Sequence, residues 1–196
     1  MKNRLAIIFC FCLTLLCAAL SPASAASINL SPPPEPDELW LLLNQKEQRL
    51  EVMLGDVPVV FYQNIAWGRG GIGLKQRQGD AITPVGSFRI RWINRNSKYR
   101  IFLGFDYPNL SYAERGLRTG ALTPIEHRKI VTAWDRNKVP PQSTAIGGAL
   151  GIHGLGNADA DIHSRLNWTS GCVALNNAQI DHLIQLVSIG TRVVIQ

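Results

Sequence analysis

The segment Trp168-Thr169-Ser170-Gly171-Cys172-Val173-Ala174-Leu175 carries the single cysteine found after the first 25 residues, and it lies nineteen positions beyond His153 in Ala149-Leu150-Gly151-Ile152-His153-Gly154. Cysteines kept for structure in exported proteins usually come in pairs, so a lone thiol that follows a histidine suggests a nucleophile with its base. An unactivated thiol titrates near pH ~8.5 and needs a neighbouring base or a positive dipole to become a working nucleophile. His153 ends an apolar, strand-like run that would hold its ring on a rigid element. Gly171 lets backbone come close to a bound carbonyl, and the amides around Gly171-Cys172 are placed to donate to an oxyanion. Gly154 leaves room for substrate or for a carbonyl that orients the ring. The residues alone leave a second reading open, a small buried cysteine and a satisfied core histidine, because catalytic partners meet in the fold and not in sequence.

Working outward, the chain of 196 residues opens with a basic start at Lys2 and Arg4, an apolar run from Leu5 to Leu20, and a small-x-small site at Ala23-Ser24-Ala25. These are the parts of a signal peptide over residues 1–25, and they imply an exported, periplasmic or wall-associated protein. Leu16 before Cys17 is a poor match for lipoprotein processing. The run falls short of the roughly 20 residues that span a bilayer, which leaves an uncleaved anchor as the lesser alternative, and no later stretch is long and apolar enough to span. Cleavage after Ala25 leaves about 170 residues, suited to one domain with one core. The 20 Lys+Arg against 14 Asp+Glu are scattered among apolar residues, so nucleic acid is a poor fit and a carboxylate-rich wall polymer a better one.

Residues 26–37, ending in Ser31-Pro32-Pro33-Pro34-Glu35-Pro36-Asp37, read as a proline-rich spacer, and 38–196 as the folded domain. Short β-rich runs follow at Leu39 to Leu43, Arg49 to Leu54, Val57 to Ala66, Ser87 to Asn94, Lys129 to Trp134 and Thr191 to Ile195. The alternation in Gln48 to Leu54 and the turn at Gly55-Asp56 predict an opening β-meander. One clear helix is expected, capped by Asn176 or Asn177, with Ile180, Leu183, Ile184 and Val187 on one face and Gly190 at its end. Tyr107 to Glu126 and Leu155 to Asn167 show little periodicity and read as long loops or lids.

Several signals weaken on inspection. Gly68-Arg69-Gly70-Gly71-Ile72-Gly73 satisfies a dinucleotide spacing, but no helix follows it to receive a pyrophosphate. The polar run Asn157 to His163 matches no standard metal loop and reads as a hydrophilic lid. His182 beside Asp181 reads as a surface residue, His127 has no recognisable partner, and Trp67, Trp92 and Trp134 fit core packing at least as well as sugar stacking. No metal and no cofactor is implied.

Ile152-His153-Gly154 with Thr169-Ser170-Gly171-Cys172-Val173 resembles the paired motif of the L,D-transpeptidase catalytic domain, the YkuD-like family of cell-wall enzymes. Two further blocks carry the resemblance: Gly79-Asp80-Ala81-Ile82-Thr83-Pro84-Val85-Gly86-Ser87-Phe88-Arg89-Ile90, and the ending Leu175 to Ile195 with Ile189-Gly190-Thr191. It covers Glu38 to Gln196 and implies a mainly β fold, a sandwich of mixed sheets with a short helix after the cysteine. It implies Cys172 as nucleophile, His153 as base, the Gly154 carbonyl orienting the ring, and oxyanion amides at Gly171 and Cys172 beside Ser170. Many members have histidine where Ser170 stands and arginine where Ala174 stands, which puts the acceptor in question, and Phe105-Asp106-Tyr107-Pro108-Asn109 looks like a smaller, divergent branch. The implied reaction is acyl transfer on stem tetrapeptides of peptidoglycan, to an amine for a 3-3 crosslink or a wall-attached protein, or to water. A non-catalytic peptidoglycan-binding domain is the alternative of another class. Arg118, Arg128 and Arg165 could each bind a stem carboxylate, although a solvated surface charge explains each one equally well.

Overall fold

A computed structural model describes residues 33–196. The signal peptide expected at 1–25 and the spacer up to Pro32 lie outside the described residues. The remainder of the spacer does not hang free of the domain: Glu38 donates to the Glu35 carbonyl across a turn at Pro36-Asp37. The Pro36 carbonyl lies where a Cβ on Gly55 would come within 2.6 Å of it, so this turn packs on the first hairpin of the domain.

The opening meander is present. β1 (Leu39–Asn44), β2 (Arg49–Leu54) and β3 (Val57–Tyr62) pair antiparallel in sequence order. The alternation that Gln48 to Leu54 showed in sequence leaves Leu50 and Val52 in the main core, as a period-2 pattern requires. Two short strands, β4 (Ile72–Gly73) and β5 (Thr83–Pro84), pair with each other apart from the main sheet. The long strand β6 (Gly86–Ser97) joins the two halves of that sheet. Its beginning pairs with the last strand, β10 (Arg192–Ile195), and the rest pairs with β7 (Arg100–Phe105). Next come β8 (Gly151–His153) and β9 (Val173–Ala174), giving the mixed order β3-β2-β1-β10-β6-β7-β8-β9, with β1–β10 and β8–β9 as the parallel pairs. Both halves feed one core, in which Leu41, Leu43 and Val52 share a cluster with Phe88, Leu103, Ile152 and Val173. The chain is mainly β with a mixed sheet, as expected.

Gly104 shows how tightly β6 and β7 are matched. It pairs with Trp92, whose indole covers it so closely that a Cβ would come within 2.0 Å of a ring atom. Covering an interior strand glycine with a cross-strand aromatic restores packing that the missing side chain cannot supply. Gly104→Ala is therefore expected to displace Trp92 and cost about 1–3 kcal/mol, the usual range for overpacking. A urea midpoint equal to the parent's would contradict this.

The helices correct part of the sequence reading. Lys129 to Trp134, expected as a strand, lies inside α2 (Pro124–Asp135). The run Ile130-Val131-Thr132 favours strand locally, but a capping box closes the start of the helix: the Thr123 hydroxyl accepts from the Glu126 amide, and Glu126 accepts from the Thr123 amide. Pro124 at the first helical position adds to it, and Ile130 alone is buried, which suits one face of a surface helix. The stretch read as a loop from Tyr107 holds α1 (Leu110–Arg118), capped by Asn109. Gly116 masks its periodicity because it replaces an apolar side chain where Leu122 packs within 2.8 Å of its missing Cβ. His127, for which no partner was visible in sequence, meets Glu114 across α1 and α2 at 2.8 Å. The second stretch read as a loop contains α3 (Ala160–Arg165), with Asp159 as its cap. α4 (Asn177–Leu186) is the helix expected after the cysteine, capped by Asn176. Among the described residues no helix is long and apolar enough to cross a membrane.

Candidate active site

β8 and β9 bring the histidine and the cysteine together. They run parallel with Ile152 opposite Val173 and His153 opposite Ala174. Cys172 precedes β9 by one residue and so falls abreast of Gly151, two positions along from His153 on the neighbouring strand. Diagonal neighbours on adjacent strands are separated by about 7–8 Å at the backbone, a gap that an imidazole and a thiol can bridge. The edge beyond β9 is held by Ala66, which exchanges both backbone hydrogen bonds with Ala174.

His153 is 2% exposed and its ring is fixed from several sides. Tyr99 stacks on it at 4.3 Å between centroids, and Trp168 meets it edge-on at 5.9 Å. Trp168 is anchored in turn by donating its indole N–H to Nδ1 of His163 at 3.3 Å. The His153 Nδ1 lies 2.7 Å from the Gly154 carbonyl. A carbonyl can only accept, so Nδ1 carries the proton and Nε2 presents its lone pair. A Cβ on Gly154 would come within 2.7 Å of Ile180 and 2.8 Å of the Tyr99 carbonyl, which explains the glycine after the histidine. Burial holds the imidazole below its ordinary titration range, against the Gly154 hydrogen bond, which raises it, while the positive fields of His163 and Lys98 add to the lowering. The His153 imidazole is therefore neutral at pH 7.

Cys172 keeps part of its surface open to solvent, but the walls around its sulfur strip enough water to push the thiol up to about 11. The Gly151 amide and the positive charge of Lys75 oppose that rise. The thiol donates to the Ala149 carbonyl at 3.5 Å. The neighbouring turn is braced by Thr169, whose hydroxyl donates to the Cys172 carbonyl at 2.6 Å and accepts from the Gly171 amide at 3.1 Å. Of the two amides expected to face an oxyanion, that of Gly171 is thus engaged with Thr169. Gly171 itself has φ +129, and a Cβ there would meet the Ile82 carbonyl at 2.8 Å, so only glycine fits. Ser170 is exposed on the outside of the turn. Ala174 is fully buried against Ala66.

Lys75 was not singled out in the sequence. It is 3% exposed and donates to Asp80 Oδ1 at 2.5 Å. Asp80 also accepts from the amides of Gln76, Arg77 and Ile82. Burial alone would raise this carboxyl, but the Lys75 ammonium and the three amides outweigh it and hold it below the usual carboxylate range. The arginines considered in sequence are not gathered here: Arg118 and Arg128 are exposed on α1 and α2, and Arg165 borders a separate polar pocket beside α3. Among the described residues no cluster of three His, Cys, Asp or Glu side chains could hold a metal ion.

Residues 38–195 match the model of the L,D-transpeptidase catalytic domain. No curated protein sequence matches the chain. Among solved structures it is similar to the helical cell shape determining protein Pgp2 from Campylobacter jejuni, with a TM-score of 0.53 and 22% identity over 81% of this chain and 47% of that one. It is also similar to Bd1075 from Bdellovibrio bacteriovorus, with a TM-score of 0.52 and 15% identity over 86% of this chain and 51% of that one. At such identities the likeness is one of fold, and the chain spans about half the length of these two proteins.

Proposed function

Because the chain belongs to the L,D-transpeptidase catalytic domain family, we propose that it is a cysteine acyl-transfer enzyme of the cell wall, with Cys172 as nucleophile and His153 as base. The observation that carries this reading is the state of His153: buried, neutral, with Nδ1–H held by Gly154 and the Nε2 lone pair on the strand beside the thiol. A thiol pushed up to about 11 is nearly all protonated at neutral pH, so it must lose its proton to the imidazole as it attacks and does not form a thiolate beforehand.

The attacked carbonyl follows the L-centre of the diamino acid in a stem tetrapeptide. A bond forms from Sγ to that carbon, and the proton moves from Sγ to Nε2. The oxyanion that develops faces the Cys172 amide. The C–N bond then breaks, and the terminal D-alanine departs as an amine protonated by His153. A thioester remains on Cys172, and His153 is neutral again. An amine of a second stem gives a 3-3 crosslink, an amine of a wall-attached protein gives an attachment, and water gives an L,D-carboxypeptidase or endopeptidase. The leader at residues 1–25 supports action outside the cytoplasm, where this polymer lies.

The test is to incubate the purified protein with disaccharide-tetrapeptide and follow the protein and products by mass spectrometry. Expected is a transient acyl adduct on the Cys172 peptide, with a 3-3 dimer assigning transfer to an amine and a tripeptide assigning hydrolysis. Binding to sacculi with neither adduct nor turnover on tetrapeptide or crosslinked wall would replace the enzyme by a binding module.

A further inference from the structure

α3 buries a single side chain, that of His163, which is 6% exposed and accepts the indole N–H of Trp168 on its Nδ1 at 3.3 Å. We propose that His163 is a positioning residue for the acyl transfer: by holding Trp168 it keeps His153 in place beside Cys172, and a proton on its Nδ1 releases that hold. The inference rests on the acyl-transfer reading given above and adds a group outside the reacting pair that governs it.

The tautomer argues that this histidine does more than pack a helix. An indole N–H only donates, so Nδ1 carries the lone pair and the neutral ring bears its proton on Nε2. Nε2 is buried and has no hydrogen-bond partner. The Asn64 carbonyl is close enough to raise the ring's titration against the lowering by burial, yet it completes no hydrogen bond with Nε2. A buried donor left unpaired is destabilising, and a phenylalanine would fasten α3 without it. What histidine adds at this position is the acceptor for Trp168.

Trp168 stands between the two halves of the reacting pair. Its ring meets the His153 imidazole edge-on at 5.9 Å, and it meets at 6.3 Å the Tyr99 ring that stacks on the same imidazole. The next residue, Thr169, braces the cysteine turn through the Cys172 carbonyl and the Gly171 amide. Anchoring the indole therefore fixes one wall of the base and the start of the nucleophile's turn together. Reaction geometry is sensitive to displacements of about 1 Å, so a loosened Trp168 slows the chemical step.

A second proton on the His163 ring goes to Nδ1, which then faces the indole N–H donor to donor, and the hydrogen bond is lost. Several charged groups surround this ring. Glu47 of the β1–β2 turn and Arg165 share the wall of the polar pocket that His163 lines, Asp159 and Asp161 stand on α3 itself, and His153 faces it from β8 across Trp168. None of them forms an ion pair with His163 among the described residues. Burial keeps the ring below 6.5, so the hold on Trp168 is intact at pH 7 and opens in acid. A charged His163 also lowers the titration of His153, so the two rings take up their protons in coupled steps.

The test follows kcat and KM on disaccharide-tetrapeptide from acid to neutral pH. His163→Phe should lower kcat at pH 7 by roughly tenfold or more with KM little changed. Trp168→Phe keeps a ring against His153 but lacks the N–H, so it should lose a similar factor, and the double variant no more than the worse single one. His163→Asn sets an amide oxygen where Nδ1 stands and takes up no proton. It should recover most of the lost kcat, and its acid limb of log kcat/KM should keep a slope of about 1 where the parent's steepens toward about 2. A rise in KM with kcat unchanged, or the same limb in parent and His163→Asn, overturns the proposal. A second readout needs no turnover: the Trp168 indole N–H resonance, assigned by its loss in Trp168→Phe, should shift as pH falls below 6.5 in the parent and stay put in His163→Asn. That shift in a protein whose Cys172 is never acylated would sink the acyl-transfer reading and leave the hold on Trp168 standing, and acylation with an indole resonance indifferent to pH would do the reverse.

Discussion

Cys172→Ala is expected to lower turnover of the stem tetrapeptide by a factor on the order of 10⁶, the scale seen when a nucleophile acting in a unit with its base is removed. The substitution deletes one sulfur atom from a half-buried turn whose geometry is set by Thr169 and Gly171, so thermal stability should stay within about 1 kcal/mol of the parent. His153→Gln should lose nearly as much, and the double variant no more than the worse single one, because the two groups serve the same proton transfer. The pH profile adds a direction. A base must be neutral to act, and burial holds His153 below 6.5, so the acid limb of kcat/KM should fall below pH 6.5. The rate should then stay level through neutrality, and alkylation of the thiol by iodoacetamide should still be rising toward pH 11. An acid limb above pH 7, or a thiol fully reactive at pH 7, would show a preformed thiolate–imidazolium pair in place of the neutral pair described here.

Asp80→Ala is expected to be the costliest substitution outside the reacting pair. It leaves the Lys75 ammonium, 3% exposed, without its carboxylate and frees three amides that now donate to Asp80. Breaking a buried ion pair from one side costs about 3–5 kcal/mol, because the remaining charge is neither solvated nor paired. For a domain of this size that lowers Tm by roughly 10 °C. Lys75→Met in the same chain should return part of the loss by removing the orphan charge, which distinguishes an unpaired cation from a mere cavity. The pH dependence follows from the lowered Asp80 titration. Its contribution is fully present above the ordinary value of 3.8 and is lost as pH falls through the depressed folded value. Parent and variant should therefore converge in stability below pH 4, and a constant gap down to the acid limit would contradict the ion-pair account.

Local signals were legible and nonlocal ones were not. The meander at β1 to β3 follows from alternation and a glycine turn, and α4 from an asparagine cap with one apolar face, all within a few residues of each other. Lys129 to Trp134 is helix and not the strand its β-branched residues favour, because the capping box six positions earlier closes the helix start, and α1 and α3 are masked in sequence by a glycine and a short polar run. His127 found its partner on another helix, which no reading of neighbouring residues reveals.

The chemistry available to this chain, a lone thiol, an imidazole and the glycines beside them, is written in residue types and their order, since each depends on side-chain identity and on the backbone freedom of one position. Where that chemistry is assembled depends on contacts between residues far apart in the chain. The parallel register of β8 with β9 sets His153 beside Cys172. Burial beneath the Tyr99 and Trp168 rings keeps the imidazole below its ordinary titration range. The closing of the Lys75–Asp80 loop over Gly147 buries a cation, and burial is a property of the packed fold that a lysine's place in a polar stretch of sequence does not carry.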